Sequence, residues 1–216
     1  MRLMLVIGAG HFGTNLAVKL TELGNEVMAV DVDEDAVHKL APYVTRVQIG
    51  DCMDRDVLSA LGVRDFDVCF VCISDNFQSS MEITSLLKEL GAPYVVAKSD
   101  REIQADLLKK IGADDVIYPE RDMAQRTAVR YSARGAFDYI ELSPEYVIME
   151  ITPPADWIGR NIGELNVRTK HRINVIGIRS GKHILPLISA DHVFNEQEHI
   201  IVAGEQKNIL KIMNKK

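Results

Sequence analysis

An α/β fold is predicted by this sequence. A Rossmann-type doubly wound parallel sheet spans residues 1–135, and a second, smaller α/β domain spans 136–216. Three observations predict it. Apolar runs alternate with amphipathic stretches through the first part. Those runs are hydrophobic on both faces, as in strands covered from two sides. The first run leads straight into glycines in G-x-G-x-x-G spacing.

Each element follows in order. Residues 3–7 read as a buried strand, Gly8, Gly10 and Gly13 follow, and Leu16, Leu20 and Leu23 mark a helix that starts at once. Gly8 permits the tight turn, Gly10 lets the backbone approach a pyrophosphate, and Gly13 lets helix and strand pack closely. The helix N-terminus offers free N–H groups and a positive dipole end to phosphates. A second strand, 26–30, ends at Asp31, eighteen residues after Gly13, where a carboxylate binds both ribose hydroxyls of an adenine nucleotide. An acid there disfavours the 2′-phosphate of NADP. Further strands are predicted at 44–49, 66–73, 94–97 and 115–118, with helices at 36–40, 57–61, 81–90 and 103–111. Gly62, Gly91 and Gly112 sit where glycines end helices. A helix over 121–134 then leads through Gly135 to a hinge.

The C-terminal part changes character. Residues 146–151 alternate as a strand, Pro153-Pro154 stops it, and 158–167 reads as a short helix. Short strands are predicted at 175–179, 183–186 and 200–202, with turns at Ser180-Gly181 and Gly204, and a closing helix at 207–213. At about 75 residues this domain is too small for the substrate-binding half of an ordinary dehydrogenase.

Composition excludes several functions. Hydrophobic residues make up 47% and charged residues 26%, an ordinary globular balance able to bury a core. A net charge of -6 argues against a nucleic-acid surface. No signal peptide and no apolar run near the roughly 18 residues of a membrane span is read, so a membrane role is expected through a partner. Three cysteines suit a reducing cytoplasm and give no disulfide framework.

Five stretches carry a resemblance along nearly the whole chain: VIGAGHFGTNLAVKL, EVMAVDVDEDAV, KELGAPYVVAKSD, KIGADDVIYPERDMA and IGELNVRTKHRINVIGIRSG. In order and spacing they resemble the RCK regulatory subunits of bacterial Trk/Ktr potassium-uptake systems. One such unit fits the length, as in the Ktr type; Trk-type regulators carry the unit twice. The resemblance implies a cytoplasmic, non-enzymatic subunit that senses ATP/ADP or NAD(H). It also implies dimers assembling into an octameric ring, docked on the inner face of a membrane-embedded potassium-translocating subunit. It places Gly8, Gly10, His11, Phe12 and Gly13 at the phosphates, Asp31, Val32 and Asp33 at the ribose, and Asp51 and Cys52 beside the adenine. Ile73, Ser74, Asp75, Lys98 and Glu120 follow strand C-termini, where open α/β sheets bind ligands. Glu120 is implied near the terminal phosphate or a divalent cation, Mg²⁺ or Ca²⁺, which would offset the repulsion between carboxylate and phosphate. The family usually has Arg where His11 stands; an imidazole is shorter and carries full charge only when protonated. In the C-terminal domain, Ile162, Leu165, Arg168, Asn174, Val175 and Ile176 resemble the pattern that binds cyclic di-AMP at a dimer interface. The family prefers Asp at Asn166.

Plainer roles stand beside these. Asp31 could cap the turn after its strand, Lys98 could be an exposed strand-end lysine, Glu120 could belong to the N-cap region of the next helix, and the C-terminal domain could be a dimerisation module without ligand. The alternative class is a small NAD-dependent oxidoreductase or redox sensor. It lacks a named proton donor or substrate pocket. Tyr94-x-x-x-Lys98 matches a short-chain dehydrogenase motif, but on a strand those side chains lie roughly 13 Å apart. Cys69-x-x-Cys72 points to opposite faces of a strand and reads as core. No P-loop, metal-ligand spacing among the six histidines, or Ser/His/Asp set is found.

Overall fold

The computed structural model describes residues 1–132 and 136–213. Contacts divide the chain into two compact units, Met1–Arg121 and Asp122–Lys216. The division falls inside a helix rather than at 135/136, and Gly135, the expected hinge, lies outside the described residues.

Six strands form the sheet of the first unit: β1 (Leu3–Ile7), β2 (Glu26–Asp31), β3 (Arg46–Ile49), β4 (Val68–Val71), β5 (Val95–Lys98) and β6 (Asp115–Ile117). All pairings are parallel, in the order β3-β2-β1-β4-β5-β6. Five helices alternate with them: α1 (His11–Glu22), α2 (Glu34–Leu40), α3 (Arg55–Leu61), α4 (Phe77–Glu89) and α5 (Glu102–Lys110). α6 (Pro119–Ser132) follows β6. Continuous hydrophobicity has its expected meaning here. Leu5 and Ile7 of β1 enter one core cluster while Met4 and Val6 enter another, so both faces of the sheet are dry. Cys69 and Cys72 divide between the same two clusters, as their spacing predicts.

Local chemistry sets the helix ends. The Asp33 carboxylate accepts from Asp35 N and Ala36 N at the start of α2, Asp54 from Asp56 N at α3, and Asn76 from Ser79 N at α4. Gly62, Gly91 and Gly112 end their helices with φ of +68°, +88° and +120°. Asp114 ties α4 to the sheet: its Oδ2 accepts from Lys88 Nζ at 2.8 Å and from Val95 N at 2.7 Å.

The second unit is built on antiparallel strands: β7 (Ala136–Glu141), β8 (Tyr146–Ile151), β9 (Ile173–Ser180), β10 (His183–Leu185) and β11 (Glu198–Glu205), in the order β10-β9-β11-β8-β7. With it go α7 (Ile162–Leu165), α8 (Val167–His171) and α9 (Gln206–Met213). Alternate strand residues (Val147, Met149, Ile151, Ile173, Ile200, Val202) pack with Leu165, Ile209, Ile212 and a stacked Trp157–Phe194 pair in one core. Two elements differ from expectation. The single helix over 158–167 is instead α7 and α8, separated by Asn166 at φ +46°, which ends α7 in a left-handed residue. β7 lies in a stretch to which the sequence assigned no element. It offers no clean alternation: Phe137 and Ile140 are exposed and Tyr139 is buried.

Candidate nucleotide-binding site

A cleft of about 1300 Å³ opens at the C-terminal ends of β1, β2, β4 and β5. The order in which strands are added reverses between β1 and β4, which leaves a crevice there.

The glycine loop forms its floor. Gly8 has φ +101°, and a Cβ on it would stand 3.1 Å from the Cys72 carbonyl. Gly13 has no room at all: a Cβ would lie 1.8 Å from Gly8 O, so α1 rests directly on the loop. Gly10 is different, because a Cβ there would meet nothing within 4 Å; its open side is room for a ligand. Gly10 is also the N-cap of α1, makes no side-chain cap bond, and no acid stands in the first turn. The helices α2, α3 and α4 each spend a side chain on those orphan N–H groups; α1 leaves them for something anionic.

Asp31 ends β2 at the cleft wall. Its Oδ2 accepts from Ala9 N and its Oδ1 from Asp33 N at 2.9 Å. The carboxylate therefore braces the glycine loop against the β2 turn. Each oxygen keeps a second lone pair, which leaves room for ribose hydroxyls. Asp31 thus also caps the turn after its strand, through Asp33 N, while Asp33 itself caps α2. Asp51 accepts from Met53 N at 2.9 Å, and Cys52 lies buried beside it.

Lys98 is not an exposed strand-end lysine. Its side chain is 5% exposed, and Nζ reaches Ser74 Oγ at 2.7 Å, Glu120 Oε1 at 2.9 Å and Asp100 Oδ1 at 3.0 Å. Burial alone would depress its pKa, but Glu120 and Asp100 outweigh that and hold the ammonium above the usual lysine value. Lys98 in turn holds the Glu120 carboxyl below the ordinary glutamate range. The positive partner of Glu120 in the structure is thus a lysine. Among the described residues no group of three or more His, Cys, Asp or Glu is placed to hold a metal ion.

Of the residues expected here, Gly8, Gly10, His11, Asp31, Val32, Asp33, Asp51, Cys52, Ile73, Ser74, Asp75, Lys98 and Glu120 all line the cleft. Phe12 and Gly13 do not. Phe12 packs against the core cluster of Val6 and Ala29, and Gly13 lies beneath the loop. Sequence reasoning missed Thr14, Lys39, Tyr43, Met53, Asn76 and Ser79, which also line it. Arg168 and Asn174 are not among the residues that line this cleft; both are exposed, on α8 and β9 of the second unit.

The dehydrogenase and redox motifs fail in place. Tyr94 is exposed and precedes β5, whereas Lys98 is buried at its far end. Burial pushes the Cys52, Cys69 and Cys72 thiols up to about 12, so none is a nucleophile at neutral pH. No helix among the described residues is long and apolar enough to cross a membrane.

Comparison with known proteins agrees. Residues 4–119 match the TrkA-N domain model and residues 146–216 the TrkA-C domain model. The chain is 39% identical to Ktr system potassium uptake protein C of Bacillus subtilis, over 94% of this chain and 92% of that protein. It is 34% identical to Ktr system potassium uptake protein A of the same organism, over 97% and 94%. Among solved structures, the GsuK channel bound to NAD superposes with a TM-score of 0.72 at 18% identity, over 99% of this chain and 39% of that one. The GsuK RCK domain superposes with a TM-score of 0.65 at 19% identity, over 99% and 47%. The chain spans under half the length of those two structures, and at such identity the likeness shows the fold. Both domain models and the Ktr relatives lead to one assignment: this chain belongs to the RCK family of Ktr-type potassium uptake proteins.

Proposed function

We propose that the chain is the nucleotide-sensing regulatory subunit of a potassium-uptake system, acting at the cytoplasmic face of a membrane-embedded translocating subunit. One observation carries the nucleotide part. The uncapped N-terminus of α1 and the Asp31 carboxylate stand in one cleft, a site for phosphate and a site for ribose. Adenine nucleotides (ATP/ADP or NAD(H)) have both groups, and the GsuK structures bound to NAD and to ADP support that choice. The work is done by binding, not by bond-making. A nucleotide shifts an assembly of subunits between two shapes in proportion to its differential affinity for them. Homo-oligomerisation, up to an octameric ring of dimers, and Mg²⁺ or Ca²⁺ beside Glu120 are part of this reading. The cation would take its remaining ligands from phosphate and water. Cyclic di-AMP at Arg168 and Asn174 is a further part, supported by the exposure of both residues.

The test has two arms. ATP, ADP and NADH should each raise the melting temperature, with about 2.7 kcal/mol of added stability at 100 Kd, and Asp31→Ala should remove most of that shift for all three. Co-expression with a Ktr-type membrane subunit in a potassium-uptake-deficient bacterium should restore growth at low potassium only when this chain is present. Unchanged shifts in Asp31→Ala would overturn the site, and growth independent of the chain would overturn the role.

A further inference from the structure

The ammonium of Lys98 has three N–H bonds, and Ser74 Oγ, Glu120 Oε1 and Asp100 Oδ1 take all three within 3.0 Å. None is left for a phosphate. What Lys98 does for a nucleotide therefore passes through a partner. Of its two carboxylate partners, Glu120 lines the cleft and Asp100 does not. Glu120 stands in the first turn of α6, and its side chain is 61% exposed.

An exposed glutamate turns about several bonds, and fixing them to hold a ligand costs roughly tenfold in affinity. Lys98 removes most of that cost. Its side chain is 5% exposed, anchored at the end of β5 and tied to Ser74 after β4, so it offers a fixed point to a side chain that has none. A carboxylate has more lone pairs than one ammonium uses, so a grip on Oε1 leaves Glu120 able to bind a cation. The donors around Nζ are hydroxyl and carboxylate oxygens, a set that suits a hard cation such as Mg²⁺ or Ca²⁺. Coulomb's law alone gives Lys98 the opposite role, because an ammonium beside Glu120 repels a second cation. At so exposed a pair that repulsion is screened to roughly fivefold or less. The ordering effect is the larger.

We propose that Lys98 is a positioning residue: it touches no phosphate and holds Glu120 beside the terminal phosphate for a divalent cation. The inference rests on the nucleotide and cation reading of the cleft. It adds the residue that keeps the carboxylate in place.

Calorimetry on the full chain tests it, with ATP titrated in Ca²⁺ and in EDTA, and ADP in EDTA. The readout is the gain in ATP affinity on adding Ca²⁺. Lys98→Met should cut that gain about threefold or more, and leave ADP affinity within about twofold of wild type. Ser74→Ala keeps both charges and removes one anchor of the ammonium, so it should cut the gain too, by less. A gain that stays or grows in Lys98→Met would overturn the inference, since Lys98 would then only compete with the cation. An unchanged gain in Ser74→Ala would also overturn it, because charge and not position would be what Lys98 supplies. So would an ADP affinity that falls as far as the ATP gain, the mark of a direct phosphate contact or a disturbed cleft. Wild-type ATP that gains nothing from Ca²⁺ would overturn the cation reading of Glu120, and this inference with it. No ATP binding at all would overturn the reading of the cleft itself.

Discussion

At the scale of single residues, the cleft is set by what each side chain is free to do. Asp31 is engaged before any ligand arrives, holding Ala9 N and Asp33 N, so the proposed ribose site is built in advance. His11 stands at the edge of the same loop, exposed. An arginine there would add a permanent charge and a forked donor towards the terminal phosphate. His11→Arg should therefore tighten ATP by about 1–2 kcal/mol and leave ADP nearly unchanged, as read by titration calorimetry. Equal tightening of both nucleotides would remove His11 from the terminal phosphate. The glycine spacing and the acid after β2 were legible in the sequence because backbone geometry dictates them. Lys39, Tyr43 and Ser79 were not, since helices and turns bring them in without a fixed offset from any motif. Lys98 was legible in position but not in state: that its charge is consumed by Glu120 and Asp100 depends on three loops meeting. The Phe12 side chain turns back to the core, which the spacing of the glycine loop does not reveal.

At the scale of elements, the cross-ties between helix and sheet carry measurable weight. Asp114 is the clearest case. Burial would raise its pKa, but the Lys88 ammonium and the Val95 N–H outweigh burial and hold it below the usual aspartate value. A carboxyl depressed in the folded state adds stability above its unfolded pKa and loses it as pH falls through the folded one. Asp114→Asn should cost about 0.5–1 kcal/mol at pH 7 in urea unfolding, and the gap from wild type should close below about pH 4. A gap independent of pH would mean the tie is packing alone. The parallel strands were legible because two-sided burial leaves continuous apolar runs. β7 was not, because its exposed face carries Phe137 and Ile140 and hides the period of two. The break between α7 and α8 was equally hidden: Asn166 is one of few residue types that accept a left-handed backbone, and nothing before it announces the turn.

At the scale of the whole molecule, the two units differ in one chemical respect: all three cysteines lie in Met1–Arg121. Their thiols are raised to about 12 by burial, and in Cys52 also by Asp51 and Asp31. A group raised on folding adds stability in full below its unfolded pKa and loses it as pH climbs to the folded one. Between about pH 9 and 12, stability should therefore fall as pH rises, with all three thiols contributing. Replacing all three by alanine should flatten that part of the profile in denaturant titrations; an unchanged slope would show that the thiols ionise equally in both states. Their position has a further consequence. A thiol reagent can reach these cysteines only when the Met1–Arg121 unit opens, and the other unit contributes no thiol signal. Labelling rate is therefore a clock for one half of the chain, built in without a reporter group. Slowing of that clock by a candidate ligand would assign the ligand to the half it protects.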